Sequence, residues 1–317
     1  MTSESDYLVD RRRMRRKLTF WRVAAFLVAA IAIIGTGVAF AGRQLFASSA
    51  HIARITVNGF ITGDRKTLEL IESLGRNRAA NAVVVTINSP GGTVTGSEAL
   101  FLALRELSAK KPTVAVVEGM AASGGYIAAM GTERIVAQHT SLVGSVGVVF
   151  QLPNFVRLLD TVGVKIETVK SSPLKASPNP LEVTTPASEA ALAALVADNF
   201  AWFRDLVGER RGLTGDGLTG VADGRVFTGH QAVGLKLIDE VGGEKQAVAW
   251  LVKAKGVTAD LPVREWKPRD ERPFGLWSAT AALARGVGLG DLAGAINSFG
   301  RAADAPVLDG LLAVWHP

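Results

Sequence analysis

Two residues stand out as a chemical pair. Ser123 lies in M-A-A-S-G-G-Y (Met120 to Tyr126), just after the strand-like run Val114 to Glu118. Lys175 follows 52 positions later, in V-K-S-S-P-L-K-A-S-P (Val169 to Pro178). A serine hydroxyl is a weak nucleophile until a base removes its proton. Histidine is the usual base, but the four histidines, His51, His139, His230 and His316, are poorly placed for it. Only His139 lies near Ser123 in sequence, 16 residues downstream. A lysine can do the same work when its amine is neutral, and burial lowers a lysine pKa by several units. The pair therefore suggests a serine–lysine hydrolase, with Lys170 as the alternative base.

An acyl-transfer site also needs donors for the oxyanion. I-N-S-P-G-G, Ile87 to Gly92, ends the apolar run Ala82–Ile87. Ligands of parallel α/β sheets gather at the carboxyl ends of strands. Glycines there let a substrate approach the backbone and its amide hydrogens. Taken singly, S-P-G-G reads as a turn and a serine at a helix start as an N-cap. Two such motifs at the ends of neighbouring strands make a site. They set the Ser123 hydroxyl beside amides of Gly124 and of Gly91 or Gly92. No His and carboxylate cluster has metal-ligand spacing, no phosphate loop is present, and no cofactor is called for.

The elements that carry these residues alternate. Strands are predicted at His51–Ile61, Ala82–Ile87, Pro112–Glu118, Glu133–Ala137, Ser145–Gln151 and Lys165–Val169. Helices are predicted at Lys66–Leu74, Gly96–Ser108, from Ser123 to Met130, and at Glu244–Ala254. Repeated β-α-β units imply an α/β fold of parallel strands with right-handed crossovers. Residues 171–183, rich in Ser and Pro, form a loop. Thr185-Pro186 starts a long helix with a capping threonine and proline at the first position.

The 317 residues carry a net charge of +6. Residues 1–22 hold seven basic and three acidic residues, so the remainder carries only +2, which argues against a nucleic-acid surface. Residues 23–42 carry no charge. Twenty helical residues span about 30 Å, a bilayer core. Six basic residues between Arg11 and Lys17 precede them, which keeps the tail cytoplasmic and the body outside. Ala39-Phe40-Ala41 fits a signal-peptidase rule, but the apolar stretch is longer than a signal core. The expected organisation is a basic tail (1–22), a transmembrane anchor (23–42), a linker (43–50), a protease domain (51–254) and a C-terminal extension (255–317). There is no cysteine, so neither a disulfide framework nor a thiol nucleophile exists.

Together these motifs resemble the bacterial signal peptide peptidase A family, of the short single-domain type. The resemblance runs from about Ile52 to Ala254. It includes I-N-S-P-G-G, M-A-A-S-G-G-Y, S-L-V-G-S-V-G-V (Ser141 to Val148), K-S-S-P-L-K-A-S-P, D-G-R-V-F-T-G and L-I-D-E-V-G-G. It implies a Clp-protease/crotonase-like fold, membrane attachment and a serine–lysine dyad. Ser123 matches the nucleophile, Lys175 the base, and Gly91, Gly92 and Gly124 the oxyanion region. Clp-type proteases carry a histidine after the following strand, and Ser141 to Val148 contains none.

The reading is a membrane-anchored serine endopeptidase, single-pass in the bacterial inner membrane, with its catalytic domain facing the periplasm or exterior. Its expected partners are peptides from signal-peptide remnants or other membrane proteins, and membrane lipid around the N-terminal helix. Relatives in the family form rings, which implies a homo-oligomer with intersubunit active sites. The rival readings are a membrane protease dedicated to one partner protein, a crotonase-like acyl-CoA binder, and an inactive scaffold.

Overall fold

In the computed structural model, β1 (His51–Ile61), β2 (Ala80–Thr93) and β3 (Thr113–Ala122) form the centre of a parallel sheet. The structure describes residues 49–268, the helical positions 17, 20–23, 26, 27 and 30, and the strand Leu312–Val314. The predicted tail, anchor and linker fall mostly outside the described residues. Among those described, no helix is long and apolar enough to cross a membrane.

Helices α1 (Arg65–Arg76) and α2 (Val94–Ser108) make the two crossovers between the central strands. Short α3 (Gly124–Met130) follows β3 and leads to β4 (Arg134–Ala137) and β5 (Leu142–Gly144). Beyond β5 come α4 (Val156–Thr161) and the long α5 (Pro186–Arg211). Then follow α6 (Gly215–Thr219), β6 (Val226–Thr228), α7 (Gly229–Gly234), β7 (Glu240–Val241), α8 (Glu244–Lys255), β8 (Val263–Glu265) and β9 (Leu312–Val314). The sheet runs β6-β5-β3-β2-β1-β8, with β4 and β7 branching from β3 and β9 lying on β2. All pairings are parallel except β5 with β6 and β2 with β9. This is the mixed α/β sheet expected of a Clp-protease-like domain.

Successive side chains of a strand point to opposite faces, and β2 is apolar on both. Val83, Val85 and Ile87 join the larger core, with Leu100, Leu104 and Leu107 of α2, Ile127 and Met130 of α3 and Phe203 and Val207 of α5. Ala82 and Val84 face the other side, against Ala247 and Leu251 of α8. That two-sided burial explains why the run A-V-V-V-T-I shows no alternation. Each fully buried Val or Leu contributes about 1.5–3 kcal/mol, so the centre of the sheet is a rigid base for what extends beyond it.

Two predicted strands are absent. Ser145–Gln151 is not a strand: β5 ends at Gly144, where Gly144 (φ 97°) and Ser145 (φ 53°) turn the backbone aside, and the Ser145 amide donates to the Arg225 carbonyl at 2.8 Å. Lys165–Val169 is not a strand either: it pairs with no strand of the sheet, and Ile166 and Val169 are exposed. The extension beyond residue 254 contributes β8, which pairs with β1, and β9.

Candidate active site

The site is built where β3 changes partners. Val114–Val117 pair with β4, whereas Met120–Ala122 pair with β5. The chain then turns sharply into α3, and Ser123 occupies the turn. Its backbone has φ 50° and ψ −115°, a conformation that L-residues rarely adopt. Such strain costs about 1–3 kcal/mol and persists only where the surroundings enforce it. Here they do: the Ser123 amide donates to the Gly144 carbonyl at 2.7 Å, and its carbonyl accepts from Tyr126 and Ile127 at 2.9 and 3.0 Å. Ser123 stands at the N-cap position of α3, but its side chain makes no capping bond. Its hydroxyl donates instead to the Gly147 carbonyl at 3.4 Å, and the residue is fully buried in the single chain.

Helix α3 is held at both ends. The Tyr126 hydroxyl donates to the Leu237 carbonyl at 2.7 Å, and burial pushes that phenol's pKa up. At the carboxyl end, Arg210 of α5 donates to the carbonyls of Met130 and Thr132 at 3.0 and 3.1 Å. The same desolvation that makes those bonds count lowers the Arg210 pKa.

The two glycine motifs meet as the sequence predicts. Ser89 pairs with Ala121 across β2 and β3. A Cβ on Gly125 would stand 2.8 Å from the Ser89 carbonyl oxygen, so only glycine lets α3 sit this close to β2. I-N-S-P-G-G, placed by the sequence at the end of the strand Ala82–Ile87, is part of β2 itself, which runs on to Thr93. It stays extended because β1 continues beside it, with Phe60 opposite Gly91 and Ile61 opposite Gly92. Gly91 has φ 120°, and a Cβ on Gly92 would lie 1.9 Å from the Ile61 carbonyl oxygen. The Gly91 amide is already engaged, donating to the Ser89 hydroxyl at 3.1 Å. Gly124 opens α3, where first-turn amides have no carbonyl within the helix.

The other edge of this stretch carries a peptide strand. Leu312–Val314 pairs antiparallel with it, Gly91 opposite Val314, Gly92 opposite Ala313 and Thr93 opposite Leu312. The edge that holds the glycines thus accepts an extended chain through its backbone.

Lys175 and Lys170 have different surroundings. Lys175 is exposed on the 171–183 loop, its amide donating to the Ser172 carbonyl at 3.1 Å. Among the described residues no bond joins it to Ser123. Lys170 is ion-paired with Glu182. The hydrogen bond from Lys170, joined by one from Asn179, holds the Glu182 carboxyl below its ordinary range. His139 is not joined to Ser123 either: its ring stacks on that of His230, with centroids 4.6 Å apart. Sequence reasoning overlooked Ser89 and Glu182. Ser89 stood within the motif, and its hydroxyl, which donates to the Gly59 carbonyl at 2.6 Å, ties the end of β2 to β1. Glu182 had no signal beyond a lone acid in a loop.

A buried, strained serine after a parallel strand, facing a glycine-rich neighbouring strand that binds extended chain, defines a Clp-like protease fold. Comparison with known proteins agrees. The model of peptidase family S49 matches residues 105–258, and that of Clp protease matches residues 64–143. A putative protease of Synechocystis sp. is 35% identical over 243 residues, covering 75% of this chain and 88% of its own. A putative protease of Methanocaldococcus jannaschii is 32% identical over 226 residues, 71% and 72% of the two chains. A putative signal peptide peptidase SppA of Enterococcus faecium is 28% identical over 235 residues, 70% and 68% of the two chains. The chain belongs to peptidase family S49 and is a protease, acting on peptide substrates.

Proposed function

We propose that this protein is a membrane-anchored serine endopeptidase in which Lys175 activates Ser123, and that it cleaves signal-peptide remnants or similar membrane-derived peptides. Residues 23–42 anchor it in the inner membrane, with residues 1–22 in the cytoplasm and 43–50 as linker. Residues 51–254 form the extracytoplasmic protease domain, followed by the 255–317 extension. The substrate binds as an extended strand along Gly91–Thr93. Neutral Lys175 takes the Ser123 proton as the oxygen attacks the scissile carbonyl. Amides of the Gly92 and Gly124 region hold the oxyanion; the proton passes to the leaving amine, and water then releases the acyl group with Lys175 again as base.

The observation that carries this reading is the strained Ser123 turn beside a β2 edge already paired with an extended strand. The ion pair of Lys170 with Glu182 favours Lys175, because the Lys170 amine is committed elsewhere. Among the described residues the Ser123 hydroxyl meets only a carbonyl, which supports a dyad completed by a neighbouring subunit's loop. The exposed apolar side chains Phe155, Leu158, Val162, Val164 and Ile166 cluster in the segment leading to Lys175, as a subunit contact would require.

The test is complementation. Ser123→Ala and Lys175→Ala are each inactive alone. Mixed oligomers purified after co-expression regain peptide cleavage, because some junctions combine an intact serine with an intact lysine. Mixed oligomers without activity would show that the dyad does not cross between subunits.

A further inference from the structure

Residues 147–185 contain no buried residue, and their only helix is α4. A segment without a core must be ordered by something else, or it samples many conformations. Within it one pair is shielded. The side chains of Lys170 and Glu182 are 16% and 26% exposed, while Lys175 between them is exposed. The pair ties the two ends of the loop that carries Lys175, five residues from one jaw and seven from the other.

Other bonds converge on the same closure. The Asn179 side chain donates to the Ala176 carbonyl at 2.9 Å and accepts from the Leu181 amide at 2.9 Å. The Phe155 amide donates to the Pro180 carbonyl at 2.8 Å, and the Asn154 side chain to the Glu182 carbonyl at 3.4 Å. The loop is thereby fastened to the start of α4. The Glu182 carboxyl is held below its ordinary range, by Lys170 first and Asn179 next. An ion pair at the surface contributes little by itself, but one that closes a loop already fastened by other hydrogen bonds restricts where the loop can go.

We propose that Lys170 and Glu182 form a clasp that positions the Lys175 loop for catalysis, Lys170 being a positioning residue and not the base. This rests on the reading of Lys175 as the base. A base held at the wrong place by about 1 Å loses about 100-fold in rate. Loosening the clasp therefore lowers kcat, whereas KM, set by the β2 edge, changes little.

The experiment measures kcat and KM for peptide cleavage by the full-length protein in detergent, with thermal midpoints recorded in parallel. Lys170→Met and Glu182→Gln each lower kcat by about tenfold or more, with KM within about threefold of wild type. Lys170→Arg restores the rate to within about threefold, because arginine pairs with a carboxylate but cannot act as a base. The thermal midpoints stay unchanged, since the pair lies outside the core. Wild-type kcat in Lys170→Met and Glu182→Gln would overturn the clasp. So would a Lys170→Arg variant as slow as Lys170→Met, which would make Lys170 a chemical participant. Lys175→Ala separates the two levels: if it keeps full activity, the base assignment itself has failed, whatever the clasp variants do.

Discussion

Gly92→Ala tests whether the β2 edge belongs to the catalytic machinery. An alanine Cβ at this position would stand 1.9 Å from the Ile61 carbonyl oxygen, 2.5 Å from its carbon and 2.7 Å from its Cα. Non-bonded carbons settle at about 3.5–4.0 Å, so β1 and β2 must part by more than about 1 Å. None of the three obstructing atoms belongs to a side chain that could rotate away. Overpacking of this kind costs about 1–3 kcal/mol, which lowers the thermal midpoint by roughly 2–12 °C for a domain of this size. The displacement acts directly on the strand that presents substrate and oxyanion donors, so kcat/KM falls by about 100-fold. Gly234→Ala is the control, because nothing lies within 4 Å of a Cβ there. Peptide hydrolysis and thermal melting of both variants decide the matter. A folded Gly92→Ala protein that cleaves peptide at close to the wild-type rate would refute the placement of the site.

The remaining expectations concern the two segments around the site. Removing the chain from Leu312 onward frees the Gly91–Thr93 edge of its antiparallel partner. If that strand is docked about 90% of the time, its loss lowers apparent KM about tenfold with kcat unchanged; an unchanged KM in steady-state assays would mean that the strand does not compete. The Glu182 carboxyl is held below its ordinary range, chiefly by the hydrogen bond from Lys170. A carboxylate depressed in the folded protein contributes stability above its unfolded pKa, and loses it as pH falls through the folded value. Acidification below the usual carboxylate range therefore raises amide exchange in residues 171–181 and leaves β2 and β3 protected. Glu182→Gln abolishes that pH dependence, and equal exchange at both pH values in the wild type would contradict it.

Much of the fold was legible because local and global signals coincide. His51–Ile61 matches β1 end to end, and Thr185 caps α5 with Pro186 at its first position. Ala82–Ile87 was recognisable because burial on both faces demands a continuous apolar run. The failures came where an apolar pattern did not mean a sheet. S-V-G-V-V-F-Q reads as a strand, but positive φ at Gly144 and at its own first residue, Ser145, ends β5 there. Lys165–Val169 holds the β-branched residues of a strand without a partner, and a strand needs a neighbour more than a composition. In the site, Ser123 was legible from its position after a strand, but its strained backbone is a consequence of Gly144 and the β5 register, which lie beyond any local motif. The Lys170–Glu182 pair was invisible because its members stand 12 positions apart on an irregular loop.

The central claim is that Ser123 is the nucleophile and Lys175 makes it one. It is tested most directly by treating the full-length protein with a fluorophosphonate and mapping the adduct by peptide mass. The account predicts a single modified peptide, carrying the adduct on Ser123. Labelling at that residue should be lost in Lys175→Ala and retained in Lys170→Arg. An adduct on another serine, or undiminished labelling of Ser123 in the Lys175→Ala protein, would contradict the account.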